Sequence, residues 1–136
     1  LHNLCTDRGW TLQADALRSD LQRPLRDGVA DLLHAQYNDL ANAPAQYDMV
    51  FITNPTSLHA EALQQVRGRG KALFIEKPIF SAEQTGLDLA SYLPADQKAY
   101  VAAPMRWCGV MLALKDLLPT LHPYCARVIC SSYLPD

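Results

Sequence analysis

Positive charge is scarce: 12 Lys and Arg residues face 14 Asp and Glu, for a formal net charge of -2. Proteins that bind polyanions need a clustered basic face, because neutralised phosphates supply most of the affinity. Here Arg18, Arg23 and Arg26 are interleaved with Asp15, Asp20 and Asp27, so nucleic acid is excluded as an expected partner. Long apolar runs are also missing. A bilayer span takes about 20 consecutive apolar residues, and charged side chains interrupt every long hydrophobic stretch, so no membrane partner is expected. The opening residues, with Asp7 and Arg8, lack the basic start and apolar centre of a secretory signal, which leaves the cytoplasm as the expected compartment.

Cysteine is sparse and scattered. Cys5, Cys108, Cys125 and Cys130 form no CxxC pair, and no His lies at zinc-finger spacing, so they read as free thiols with no metal site. His2, His34 and His122 have no acidic or Cys partner at ligand spacing and read as surface or packing residues. A phosphate loop is absent as well: Gly68-Arg69-Gly70-Lys71 would need Gly at 65 and Ser or Thr at 72, where Gln65 and Ala72 stand. Ser57 and His59 are two residues apart at a helix start and face different directions, which excludes a Ser-His nucleophile pair.

What remains is ample core material: of 136 residues 49% are hydrophobic and 19% charged, the balance of one ordinary globular domain. The chain opens on Leu1 with no initiator Met and stops directly after an apolar run, and both ends read as cut. Residues 1–5 have the form of the last turn of a helix, followed by a turn at Gly9. Alternation of Trp10, Leu12, Ala14 and Ala16 with polar residues predicts a strand over 10–17. Leu21, Leu25, Val29, Leu32 and Leu33 fall at helical spacings over 20–34, against Pro24 and Gly28. A short strand over 35–37 and a single helical turn over 39–43 follow.

From there strand and helix alternate. Residues 49–53 (MVFIT) predict a strand buried on both faces, Asn54-Pro55-Thr56-Ser57 supplies turn and cap chemistry, and a helix runs over 58–69. Residues 72–75 (ALFI) predict the next strand, ended by Glu76-Lys77-Pro78; Ser81 and Gln84 then form a capping box that opens a helix to 93. A third strand over 100–103 precedes Pro104 and a helix over 108–118, and residues 127–133 read as a strand that begins something new. Strands and helices at this spacing define an α/β chain with a doubly wound parallel sheet. In such sheets ligands bind beyond the carboxyl ends of the strands, where Thr53-Asn54-Pro55-Thr56, Glu76-Lys77-Pro78 and Pro104-Met105-Arg106 fall.

Three stretches, YDMVFITNPTSLHAEAL, GKALFIEKPIFS and VAAPMRW, resemble in order and spacing the nucleotide-binding domain of the glucose-fructose oxidoreductase and inositol dehydrogenase (Gfo/Idh/MocA) family. The resemblance covers Tyr47 to Trp107. It implies a Rossmann-type domain over 1–124, lacking its Gly-rich first strand and turn, and the start of a truncated substrate domain over 125–136. It also implies that the intact parent, expected to be a homo-oligomer, is a dehydrogenase moving hydride between NAD(P) and a hydroxyl or carbonyl carbon of a sugar, polyol or sugar-like metabolite. Thr53, Asn54, Pro55 and His59 would line the dinucleotide, Glu76 would approach the nicotinamide ribose, and Arg106 would stand near the nicotinamide end. Lys77 would lie between nicotinamide and substrate as the catalytic residue, with Pro78 fixing its exit through an X-Pro bond that tolerates cis at low cost.

At the end of the first visible strand, Arg18 and Ser19 suit a 2′-phosphate, while Asp15 could serve the ribose hydroxyls of NAD; NADP is placed ahead of NAD. The Gly-rich turn and the family's Asp and His for proton transfer are absent, so the 136 residues alone are expected to be inactive. Two rival readings stand beside this one. One is a non-catalytic nucleotide-binding regulator or structural protein of the same fold, and the other is a flavodoxin-like domain, which Glu76-Lys77-Pro78 disfavours.

Overall fold

The computed structural model describes residues 2–125, 127 and 129. In chain order its elements are α1 (His2–Asp7), β1 (Asp15–Leu17), β2 (Ala35–Tyr37), β3 (Tyr47–Ile52), α2 (His59–Gln65), β4 (Gly70–Ile75), β5 (Lys98–Val101) and α3 (Gly109–Leu121). Every strand pair is parallel: β1 with β2 in one sheet, and β3-β4-β5 in another. The class is α/β, as the alternation of periods requires.

The core forms where one face of the second sheet meets α2. Ile52, Leu73 and Ile75 on the sheet pack with Leu63 and Val66 of the helix, and Leu63 and Ile75 are fully buried. Burying side chains of this size contributes about 1.5–3 kcal/mol each. The opposite face carries an aromatic ladder, with Phe51, Phe74 and Tyr100 in register across the three strands and ring centroids 5.4 and 5.5 Å apart. Among the described residues that face remains open. Met49 and Phe51 are 47% and 45% exposed, so β3 is buried on one face and not on both as its composition suggested. Apolar side chains point both ways from the strand, but only one side meets a helix.

Several boundaries depart from the sequence reading. The strand expected over 10–17 pairs only at Asp15–Leu17, because its partner β2 offers three residues. The helix expected over 20–34 is absent, leaving one 3-10 turn at Ala30–Leu32. Pro24 cannot donate a backbone N–H, Gly28 takes φ +77°, and Asp20 caps a turn at the Gln22 N–H (2.8 Å). After β3, a 3-10 turn at Thr56–Leu58 leads into α2, which ends at Gln65, short of 69, because the chain must turn through Gly68 to enter β4.

The capping box at Ser81 and Gln84 forms as expected, yet it opens only the turn Ala82–Gln84. Gly86 at φ +94° breaks the helix, and Asp88 caps a second turn at Leu89–Tyr92. α3 outruns its expected end at 118 with Pro119 inside it, and stops at His122 in the left-handed region. No residue of α3 is buried, and Val110, Leu117 and Leu121 are at least half exposed. The strand expected over 127–133 lies outside the described residues.

Candidate functional site

Parallel pairing fixes which end of each strand is which, and so gathers the strand-end residues without long-range assumptions. Ile52, Ile75 and Val101 are level across β3-β4-β5. The ladder continues one step further, since the Glu76 N–H donates to Ile52 O (2.9 Å) and the Ala102 N–H to Ile75 O (2.8 Å). Thr53 and Glu76 therefore leave the same edge side by side, followed by Asn54 and by Lys77. Arg106, in the 3-10 turn Pro104–Trp107, follows the third strand at that edge. The Lys77-Pro78 peptide is cis.

A groove of about 740 Å³ lies between β1 and β3 and joins Arg18 and Ser19 to Thr53, Asn54 and Pro55, with Leu17, Met49 and Phe51 on its apolar walls. Five of the ten sequence-selected residues thus share one groove; His59, Glu76, Lys77, Pro78 and Arg106 stand outside its lining. Arg18 is already engaged: it donates to Gln36 Oε1 at 2.6 Å and to the Arg23 carbonyl. Those bonds hold the guanidinium beside the carboxyl end of β1, at the mouth of the groove.

The polar groups at this edge are unevenly satisfied. Asn54 Nδ2 donates weakly to Leu58 O at 3.3 Å, whereas Asn54 Oδ1 is buried with no hydrogen-bond partner among the described residues. An orphaned buried acceptor costs about 1–3 kcal/mol, and a ligand hydroxyl or amide N–H would satisfy it. Glu76 turns back on its own strand end, its Oε2 accepting from the Lys77 N–H at 3.0 Å. Lys77 and Arg106 are exposed, and among the described residues neither forms a salt bridge. Two unneutralised cations therefore flank the edge, a field suited to anionic or developing negative charge.

His59 differs from the others. It is 1% exposed, with Nε2 2.8 Å from Asn54 O and Nδ1 3.1 Å from Ile79 O. It holds backbone rather than the groove.

At the amino ends of the strands lies a cluster that sequence reasoning missed. Asp15 accepts from the Tyr47 hydroxyl at 2.9 Å and lies 3.2 Å from His34 Nδ1. Burial, and then the bond to Asp15, push the Tyr47 phenol up to about 12. Asp15 opens β1, and both Asp15 and Tyr47 also line the groove that Arg18 and Ser19 share. The signal was nineteen residues away at His34 and thirty-two away at Tyr47, separations that only pairing reveals. Among the described residues no group of His, Cys, Asp and Glu could hold a metal, and no helix is long and apolar enough to cross a membrane.

A parallel sheet with loops, a groove and free cations at its carboxyl edge is the arrangement of a dinucleotide-binding α/β domain. Residues 9–102 match the Gfo/Idh/MocA oxidoreductase family, NAD-binding Rossmann fold, and the chain belongs to that family. A curated relative, the uncharacterized oxidoreductase YrbE of Bacillus subtilis (strain 168), is 34% identical over 62 residues. That match covers 45% of this chain but only 18% of the relative. No solved structure matches the chain.

Proposed function

We propose that the full-length protein is an NAD(P)-dependent dehydrogenase that moves hydride to or from a hydroxyl or carbonyl carbon of a sugar, polyol or sugar-like metabolite. The observation that carries this reading is the groove joining Arg18 and Ser19 to Asn54, whose buried Oδ1 lacks a partner. Such an acceptor fits a ribose hydroxyl or a carboxamide N–H, the groups a dinucleotide offers. Thr53, Asn54 and Pro55 would hold the cofactor, with Glu76 accepting from its ribose and Arg106 beside its nicotinamide end. Arg18 and Ser19 would meet a 2′-phosphate, so NADP is preferred to NAD. The nicotinamide ring, when bound, supplies or accepts the hydride.

Lys77 is the catalytic residue of this proposal. Its ammonium, exposed and unpaired at the strand end, would stand beside the reacting oxygen, hold negative charge as it develops and help move the hydroxyl proton. Pro78 fixes the chain leaving it. Residues 1–124 would then form most of the cofactor domain, and residues 125–136 would begin the substrate domain of a cytoplasmic homo-oligomer. The test is a steady-state screen of the full-length protein against sugars and polyols with each nicotinamide cofactor. Turnover with NADP above NAD supports the reading; cofactor binding without turnover on any of them would favour a regulatory protein of the same fold.

A further inference from the structure

Among the described residues, the buried imidazole of His59 is the one ionisable side chain at the carboxyl edge that reaches two strand-end loops at once. Its Nε2 lies 2.8 Å from the carbonyl oxygen of Asn54, in the loop after β3, and its Nδ1 lies 3.1 Å from that of Ile79, in the loop after β4. With 1% of the residue exposed, water cannot replace either contact. Both partners are acceptors. The imidazole therefore lies between two carbonyl oxygens, one from each loop.

The consequence lies in what each loop carries. The Asn54 carbonyl that His59 holds belongs to the same residue as the orphaned buried Oδ1, so holding the carbonyl fixes the backbone from which the amide projects. Ile79 stands two residues beyond Lys77. The backbone ladder ties β3 and β4 only as far as Glu76 N to Ile52 O, and beyond it, among the described residues, side chains join the two segments: His59, and Gln84, whose Nε2 donates to Ser57 O at 3.3 Å. A rigid, fully packed ring between them restores the coupling. Buried side chains of this kind hold ligand-binding groups within the half-ångström tolerance that binding demands.

We infer that His59 is a positioning residue: it does not touch the cofactor but clamps the loops after β3 and β4, and so aims Asn54 into the groove. This goes beyond the cofactor-lining role that the resemblance implied for His59, and it rests on the proposed dinucleotide groove.

A double-mutant cycle read by binding tests it, with NADPH and NADH titrated into the full-length protein and nicotinamide fluorescence as the signal. His59→Ala is expected to weaken the better-bound cofactor by about tenfold, measured well below the variant's melting temperature. Asn54→Ala removes the aimed amide but keeps the carbonyl that His59 holds, and should weaken binding by a similar factor of about ten, the loss of one good hydrogen bond. In the Asn54→Ala background the His59→Ala change should then cost less than about twofold, because the group it aims is gone. His59→Gln, which keeps one N–H donor toward Asn54 and less disruption of the core, is expected to recover part of the loss and serves if the Ala variant does not fold. Effects that multiply in full in the double variant, or a folded His59→Ala variant with unchanged affinity, would overturn the clamp while leaving the dinucleotide groove intact. Absence of binding by the unmodified protein would overturn the groove itself, and the clamp with it.

Discussion

Lys77 stands exposed immediately beyond a strand whose last apolar residue, Ile75, is fully buried. That contrast separates its two measurable contributions. Removing an exposed, unpaired ammonium should change stability by no more than about 0.5 kcal/mol, whereas removing charge from beside a developing oxyanion should lower kcat by a factor on the order of 100. In the full-length protein, Lys77→Ala is therefore expected to keep its melting temperature and lose turnover on the substrate that the screen identifies. Lys77→Arg should recover little, since a planar guanidinium can neither match the position of the ammonium nor release a proton readily. An Ala variant with normal kcat would remove Lys77 from the chemistry.

Arg18 and Tyr47 extend the same reasoning to the two ends of the strands. Arg18→Ala should lower the kcat/KM ratio of NADP to NAD by about tenfold, the usual worth of one charge-assisted contact; an unmoved ratio would leave Arg18 with only its bonds to Gln36 and Arg23. Tyr47 gives a pH dependence whose sign is fixed. Its folded-state pKa, raised to about 12 by burial and by the Asp15 carboxylate, exceeds the value of about 10 expected in the unfolded chain. The unfolded state therefore gives up its proton first, and the stability contributed by Tyr47 is complete below about pH 10 and lost as pH climbs toward about 12. Chemical denaturation across that window should show a decline that Tyr47→Phe flattens. A variant with the same alkaline slope as the parent would contradict the assignment.

At the scale of elements, what was legible depended on how locally each element is specified. β3, β4 and the capping box at Ser81 were readable because a short apolar run, or two side chains three residues apart, decides them without help. The helices over 20–34 and 81–93 do not form because Gly28 and Gly86 both take positive φ, and neither an apolar spacing nor a capping box carries a helix through such a residue. The site was legible in part. Residues that end strands could be found by position, whereas the buried clamp of His59 and the Asp15-Tyr47-His34 cluster depend on pairings made only in three dimensions. Gly70 shows the same dependence on close packing. A Cβ there would come within 2.9 Å of Val50 Cγ2 and 3.1 Å of Ala72 O, where β3 and β4 begin their pairing. Gly70→Ala should cost about 1–3 kcal/mol, read as a lower denaturation midpoint with unchanged slope, and a variant as stable as the parent would show that the strands yield there.

Taken as a whole molecule, the described chain covers one face of its larger sheet with α2 and leaves Met49 and Phe51 at the surface of the other, and the apolar helix α3 is exposed along its length. Exposed apolar side chains of this kind bind hydrophobic dyes when they lie uncovered. On the proposed reading that a substrate domain follows, the 136 residues expressed alone are expected to enhance ANS fluorescence strongly, and the full-length protein weakly. Equal, weak dye binding by both would mean that these faces close on one another in solution.

The central claim is that a nicotinamide dinucleotide lies along the carboxyl edge of the parallel strands, in the groove between β1 and β3. Hydrogen exchange of the full-length protein, followed by mass spectrometry with and without saturating NADP or NAD, tests it most directly. Protection is expected in the peptides carrying Arg18 and Ser19, Thr53 to Pro55, and Glu76 and Lys77, with no change around Gln97 and Lys98 at the amino edge of β5. Protection at the amino edge, or none anywhere with either cofactor, would contradict the account.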